Sequence, residues 1–112
     1  MSCIFCDIAG GKIPSQKVYE DDVMLAFKDL NPQAPVHVLL IPKSHIDSLA
    51  QIDGAGAQTV AHMMEKIPAI TKTLGCEESF RIVSNCGAQA GQSVMHLHFH
   101  LLAGRQFAWP PG

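Results

Sequence analysis

Three histidines occupy alternate positions in the run Ser93-Val94-Met95-His96-Leu97-His98-Phe99-His100-Leu101-Leu102. Successive side chains of a strand point to opposite faces. A strand here would bury Met95, Leu97, Phe99 and Leu101 and set His96, His98 and His100 together on the other face, about 6–7 Å apart. An ordinary solvated face would carry Thr, Lys or Glu more often than a row of histidines. Two chemistries fit such a row. Next-but-one neighbours can share a metal ion, and a neutral imidazole is a nitrogen nucleophile near pH 7 once one tautomer is fixed. Three solvent-facing polar residues are the plainer alternative. Near the amino terminus, Cys3-Ile4-Phe5-Cys6 places two thiols at a spacing that can hold one face of a tetrahedral zinc, or that is simply a pair of reduced, partly buried cysteines. A redox pair of the thioredoxin type needs a βαβ setting that this sequence lacks.

The flanking segments supply the frame. Cys6 to Ile13 reads as a short first helix, ended by Gly10 and Gly11 before Pro14. Val18 to Glu20 and Val23 to Phe27 read as strands around an Asp21-Asp22 turn. Asn31 to Pro35 is a proline-punctuated loop, and Val36 to Ile41 a third strand. Asp53 is placed to cap a helix from about Gly56 to Leu74, whose Val60, Met63, Met64, Ile67, Ile70 and Leu74 form one apolar stripe. Gly75 suits a left-handed helix end, and Pro68 is expected to kink the helix. His62 lies off the stripe and reads as solvated. Phe80 to Asn85 is a fourth strand and Val94 to Leu102 the fifth. The pattern is α+β: a five-stranded, mainly antiparallel sheet with one long helix and a short N-terminal one.

Composition narrows the function. The chain has 112 residues, 47% apolar and 16% charged, which fits one packed domain spanning residues 1–112 and excludes intrinsic disorder. Eight Lys and Arg face ten Asp and Glu, with no basic cluster, so no nucleic-acid surface is expected. No apolar run is long enough to cross a membrane, and the amino terminus carries no secretory pattern, so a cytoplasmic location is expected. There the four cysteines, Cys76 and Cys86 without evident partners among them, make a poor disulfide framework. Neither a P-loop nor a dinucleotide-binding glycine motif occurs.

The run Gly91 to Leu102 closely resembles the signature of the histidine-triad (HIT) family. Other segments resemble its histidine-triad nucleotide-binding (HINT) branch: Ile13-Pro14, Tyr19 to Asp22, Phe27 to His37, Ile41-Pro42-Lys43, and Gly104-Arg105-Gln106 with Trp109-Pro110-Pro111-Gly112. The resemblance covers nearly the whole chain. It implies a purine nucleoside phosphoramidase, hydrolysing adenylyl conjugates (AMP-amines and aminoacyl-AMP) through a covalent nucleotidyl-His98. His100 and Ser93 would bind phosphoryl oxygens or the leaving group, and His37 would orient the ring of His98. Asp29 would hold the ribose, Asn85 and the neighbourhood of Gln92 and Ser93 the phosphate, and Phe5, Ile8, Phe27 and Leu30 the base. Without the resemblance, those four apolar residues read as core.

Some members with an N-terminal C-x-x-C pair it with two histidines, which here match His45 and His96. The resemblance thus implies a closed, structural Zn2+ site of Cys3, Cys6, His45 and His96, leaving His98 free to act. It also implies a homodimer with a continuous ten-stranded sheet, the Trp109 tail reaching the partner's site. Two rival functions stand beside this one: a dinucleoside polyphosphate hydrolase, and a non-catalytic nucleotide-binding regulator or scaffold.

Overall fold

The computed structural model describes residues 3–112. Helix α1 spans Ile4–Ala9, and the Cys6 N–H donates to the Cys3 sulfur at 3.3 Å as its N-cap. That thiol cap starts the helix earlier than the glycine-based reading implied, and Gly10 closes it. Strands β1 (Lys17–Glu20) and β2 (Met24–Lys28) follow. The turn between them is tied by Asp21, whose Oδ1 accepts from the Val23 and Met24 N–H groups at 2.8 and 2.9 Å. Its Oδ2 accepts from Tyr19 Oη and faces His62 Nε2, each at 2.7 Å, so His62 is paired rather than merely solvated.

Strand β3 (Val36–Pro42) leads through a 3-10 turn at Leu49–Gln51 to helix α2 (Gly54–Leu74). Asp53 Oδ1 caps α2 by accepting from the Gly56 N–H at 2.7 Å, and Gly75 ends it at φ 74°. The helix runs on through Pro68 without interruption. Strands β4 (Arg81–Val83) and β5 (Phe99–Ala103) complete an antiparallel sheet of order β1-β2-β3-β5-β4. Among the described residues no helix is long and apolar enough to cross a membrane.

Both faces of the sheet are covered. Met24, Ala26, Val38, Leu40, Leu97, Phe99 and Leu101 pack under Met63, Ile67 and Ile70 of α2. Leu25, Phe27, Leu39 and Ile41 on the opposite face pack against Phe5 and Ile8 of α1. The histidine segment departs from its expected form. Only Phe99 onward joins the ladder, with Leu40 opposite Phe99 as the last pair to β3. The Leu97 N–H turns away to donate to the Ile46 carbonyl at 2.6 Å. The alternation of faces survives from Leu97 onward, but Met95, expected in the core, is 49% exposed. His96 and His98 are buried, not solvent-facing.

Candidate active site and metal centre

Because residues 94–98 leave the ladder, His96 diverges from the other two histidines and two separate clusters form. In the first, Cys3, Cys6, His45 and His96 bring their ligand atoms within 4.8 Å of one another. His96 Nδ1 lies 3.3 Å from Cys3 Sγ and 3.5 Å from Cys6 Sγ, and His45 Nδ1 lies 3.3 Å from Cys6 Sγ. Ligands around a tetrahedral zinc, bonded at about 2.0–2.3 Å, sit about 3.3–3.8 Å apart.

The outer nitrogens decide the tautomers. His96 Nε2 is 2.9 Å from the Pro42 carbonyl, which can only accept, so this nitrogen carries the proton and Nδ1 offers its lone pair to the cluster. His45 Nε2 likewise faces the Asp47 carboxylate at 2.6 Å. A carbonyl or carboxylate behind each imidazole is the usual support of a metal-binding histidine. Burial pushes the Cys3 thiol up, but hydrogen bonds from Cys6, His45 and the Phe5 main chain together outweigh it and hold Cys3 below its ordinary value. Burial and the Cys3 sulfur push Cys6 up to about 11, so Cys6 keeps its proton at neutral pH. The donor set fits zinc in identity, spacing and outer support.

The second cluster is Asp29, His37 and His100. The Gln33 N–H donates to His37 Nδ1 at 3.0 Å, which puts the His37 proton on Nε2. That Nε2–H donates to His100 Nδ1 at 2.9 Å, with Asp29 Oδ2 at 3.4 Å. His100 therefore carries its own proton on Nε2. Burial holds both histidines below the ordinary imidazole value, and the neighbouring histidines add to the effect at His100.

His98 stands between the clusters. Its Nδ1–H donates to the His96 carbonyl at 2.7 Å, which leaves Nε2 with the free lone pair. Its ring is packed edge-on by Phe5, centroids 5.1 Å apart, and lies 5.0 Å from the His100 ring. His37 thus orients His100; the orientation of His98 comes from a main-chain oxygen and Phe5.

A pocket of about 280 Å³ opens over this side of the sheet. Phe5, Ile8 and Phe27 form its apolar wall, Asp29, Ser93 and His100 its polar side, and the buried His98 its floor. Leu30 also lines it but is 97% exposed, at the mouth rather than in the wall. His37 is one layer behind, reached through His100. Gln92 and Asn85 stay out of the lining. The Gln92 side chain ties its loop to the segment after β3, accepting from the Gly87 N–H and donating to the Asp47 and Val94 carbonyls. The Asn85 amide lies against Gly91, where a Cβ would stand 3.4 Å from Nδ2. Ser15 lines the same pocket with a buried hydroxyl that has no partner among the described residues. Neither a repeat nor a spacing marks that serine in the sequence.

A small α+β domain with a buried, tautomer-fixed imidazole at the floor of an apolar pocket is the class that fold and site define. Residues 10–107 match the HIT domain family, and the chain belongs to it. It is 50% identical over 109 residues to an uncharacterized HIT-like protein of Synechocystis sp., covering 97% of this chain and 96% of that one. It is 43% identical to a 14 kDa zinc-binding protein of Zea mays, covering 97% and 87%. Among solved structures, a HIT family hydrolase from Legionella pneumophila superposes with a TM-score of 0.95 at 42% identity, covering 99% of this chain and 100% of that chain.

Proposed function

We propose that this protein hydrolyses conjugates of purine nucleoside monophosphates, AMP-amines and aminoacyl-AMP foremost, as a HINT-branch phosphoramidase. The observation that carries the reading is His98: its Nδ1–H is committed to the His96 carbonyl, and Nε2 is free at the floor of a nucleotide-sized pocket. The base packs on Phe5, Ile8 and Phe27, with Leu30 at the mouth, and the Asp29 carboxylate accepts from ribose hydroxyls. His98 Nε2 attacks the α-phosphorus; the P–N or P–O bond opposite breaks, and the leaving group departs with the bonding pair. A leaving amine takes its proton from solvent at the pocket mouth. His100 Nε2–H and the Ser93 hydroxyl donate to the phosphoryl oxygens, where each such donor is worth roughly 3 kcal/mol in the transition state. Water then displaces His98 and releases the nucleoside monophosphate.

Cys3, Cys6, His45 and His96 would hold a zinc ion, supported by the fit of that donor set and by the zinc-binding relative. Such a closed four-ligand site supplies structure rather than chemistry. The working unit is a homodimer with β4 edges joined into one sheet; β4 is an edge strand, and Trp109, at 82% exposure, is free to contact a partner. Four free cysteines suit a reducing, cytoplasmic setting. Hydrolysis of adenosine 5′-phosphoramidate by wild type, and its loss in His98→Ala with AMP binding retained, is the expected result. Equal turnover in the two proteins, or none in either, overturns the reading.

A further inference from the structure

Between the cysteine–histidine cluster and His98 lies one peptide unit that touches both. The carbonyl of His96 accepts the Nδ1–H of His98 at 2.7 Å. The N–H of the same unit, from Leu97, donates to the Ile46 carbonyl at 2.6 Å. His96, which supplies the carbonyl, is one corner of the cysteine–histidine cluster, and Ile46, which accepts the N–H, directly follows His45, another corner. The His96 ring is fully buried, held behind by Pro42 and packed edge-on to His45 at 4.9 Å. Residues 94–98 have no sheet ladder of their own, so the polar groups of this plane are held by these two hydrogen bonds, while the Leu97 side chain anchors it in the core.

A second line runs through Phe5, which sits between the two cysteines. Its ring packs edge-on against both His98 and His96, with centroids at 5.1 and 5.9 Å, and against Phe27 at 5.7 Å. Helix α1 has six residues, far below the length at which a helix holds itself in water. Its N-terminal turn is tied to the body of the protein by the contacts of Cys3 and Cys6 with His45 and His96.

We propose that His96 is a positioning residue: metal held by Cys3, Cys6, His45 and His96 fixes the 96–97 peptide plane and α1, and thereby both the tautomer of His98 and the Phe5–Ile8 wall of the nucleotide pocket. The wall part rests on the function proposed above; the tautomer part stands without it. By this account the metal never touches substrate. It sets the direction in which the nucleophile's lone pair faces.

The test starts from protein loaded with one zinc per chain. Long-range 1H–15N spectra of the histidine rings should show His98 as the Nδ1–H tautomer. Removing zinc with a chelator at the same pH should convert that single state to a tautomer mixture and weaken AMP binding about tenfold, with core amides unshifted. An unchanged His98 ring and unchanged AMP affinity in folded, metal-free protein overturn the proposal, as does failure to take up metal. Should the metal-free protein unfold, cobalt-loaded protein decides instead. Coupling is reciprocal, so saturating AMP should shift the visible ligand-field bands of the cobalt; bands that do not move at saturation contradict the proposal. Protein that binds no AMP at all refutes the nucleotide reading, and the His98 tautomer shift still judges the positioning role.

Discussion

Two groups of three or more potential ligands lie within a few ångströms of each other, and distance alone makes both look like metal sites. What separates them is the group behind each imidazole. His96 and His45 have acceptors at their backs, the Pro42 carbonyl and the Asp47 carboxylate, so their lone pairs face inward. His37 has a donor at its back, the Gln33 N–H, so its proton faces inward instead. Filling the second cluster with metal would mean stripping that proton or breaking the Gln33 bond. The first cluster is therefore prepared for a cation. The second is a one-way series of donors, Gln33 to His37 to His100, ending at the pocket.

The largest effect that could break this contrast falls on His98, the proposed nucleophile between them. His98→Ala should lower turnover by about 10⁴-fold or more, since loss of a covalent nucleophile leaves only binding and phosphoryl stabilisation. Steady-state kinetics with adenosine 5′-phosphoramidate reads this directly.

Next come the clusters themselves. Cys6→Ser should lose the metal, measured by elemental analysis, and cost about 3 kcal/mol, or roughly 10 °C in Tm. His37→Gln should keep the metal content, since Gln can accept from Gln33 with its oxygen and donate to His100 with its nitrogen. Its turnover should stay within about tenfold of wild type, whereas His37→Ala should lose about 10²-fold. Native protein should hold one metal ion per chain; a second, lost with His37→Ala, would refute the donor series.

The pH response should follow the same division. His37 and His100 are held below the ordinary imidazole value, so the unfolded chain takes up protons there before the folded one does. Their contribution to stability is complete above the unfolded value and is lost as pH falls from about 6.5 through the folded values. Thermal melts from pH 7 to 5 should show that decline, and it should be shallower in His37→Gln. Metal uptake must release the proton that Cys6 retains, so acid should also weaken metal binding. The smallest effect belongs to the remaining histidine pair. His62→Ala, which removes the partner of Asp21 on the other side of the sheet, should cost about 0.5 kcal/mol and leave turnover unchanged.

These distinctions mark how far the sequence could be read. The faces of the sheet were legible, because alternation along Leu97 to Leu102 and the stripe Val60 to Leu74 record burial directly. The four-residue cluster was legible through the family resemblance, which paired Cys3 and Cys6 with His45 and His96. The point where the histidine run leaves the ladder was not, since a hydrogen bond from Leu97 to Ile46 has no side-chain signature. The partners that fix every tautomer escaped for the same reason. The carbonyls of Pro42 and His96 and the N–H of Gln33 are main-chain groups that any residue could supply. Hence His37, expected to orient His98, turns out to orient His100. The neighbourhood of Gln92 was expected to meet the phosphate through main-chain N–H groups, but the Gln92 N–H itself donates to the Gly87 carbonyl at 3.1 Å.

The central claim is the pattern of protons on five rings, and one spectrum tests it. Long-range 1H–15N correlation of the metal-loaded protein should show His45 and His96 with Nδ1 metal-shifted and Nε2 protonated. The same spectrum should show His98 protonated on Nδ1, and His37 and His100 on Nε2. A His98 protonated on Nε2, or metal-shifted nitrogens at His37 and His100, would contradict the account.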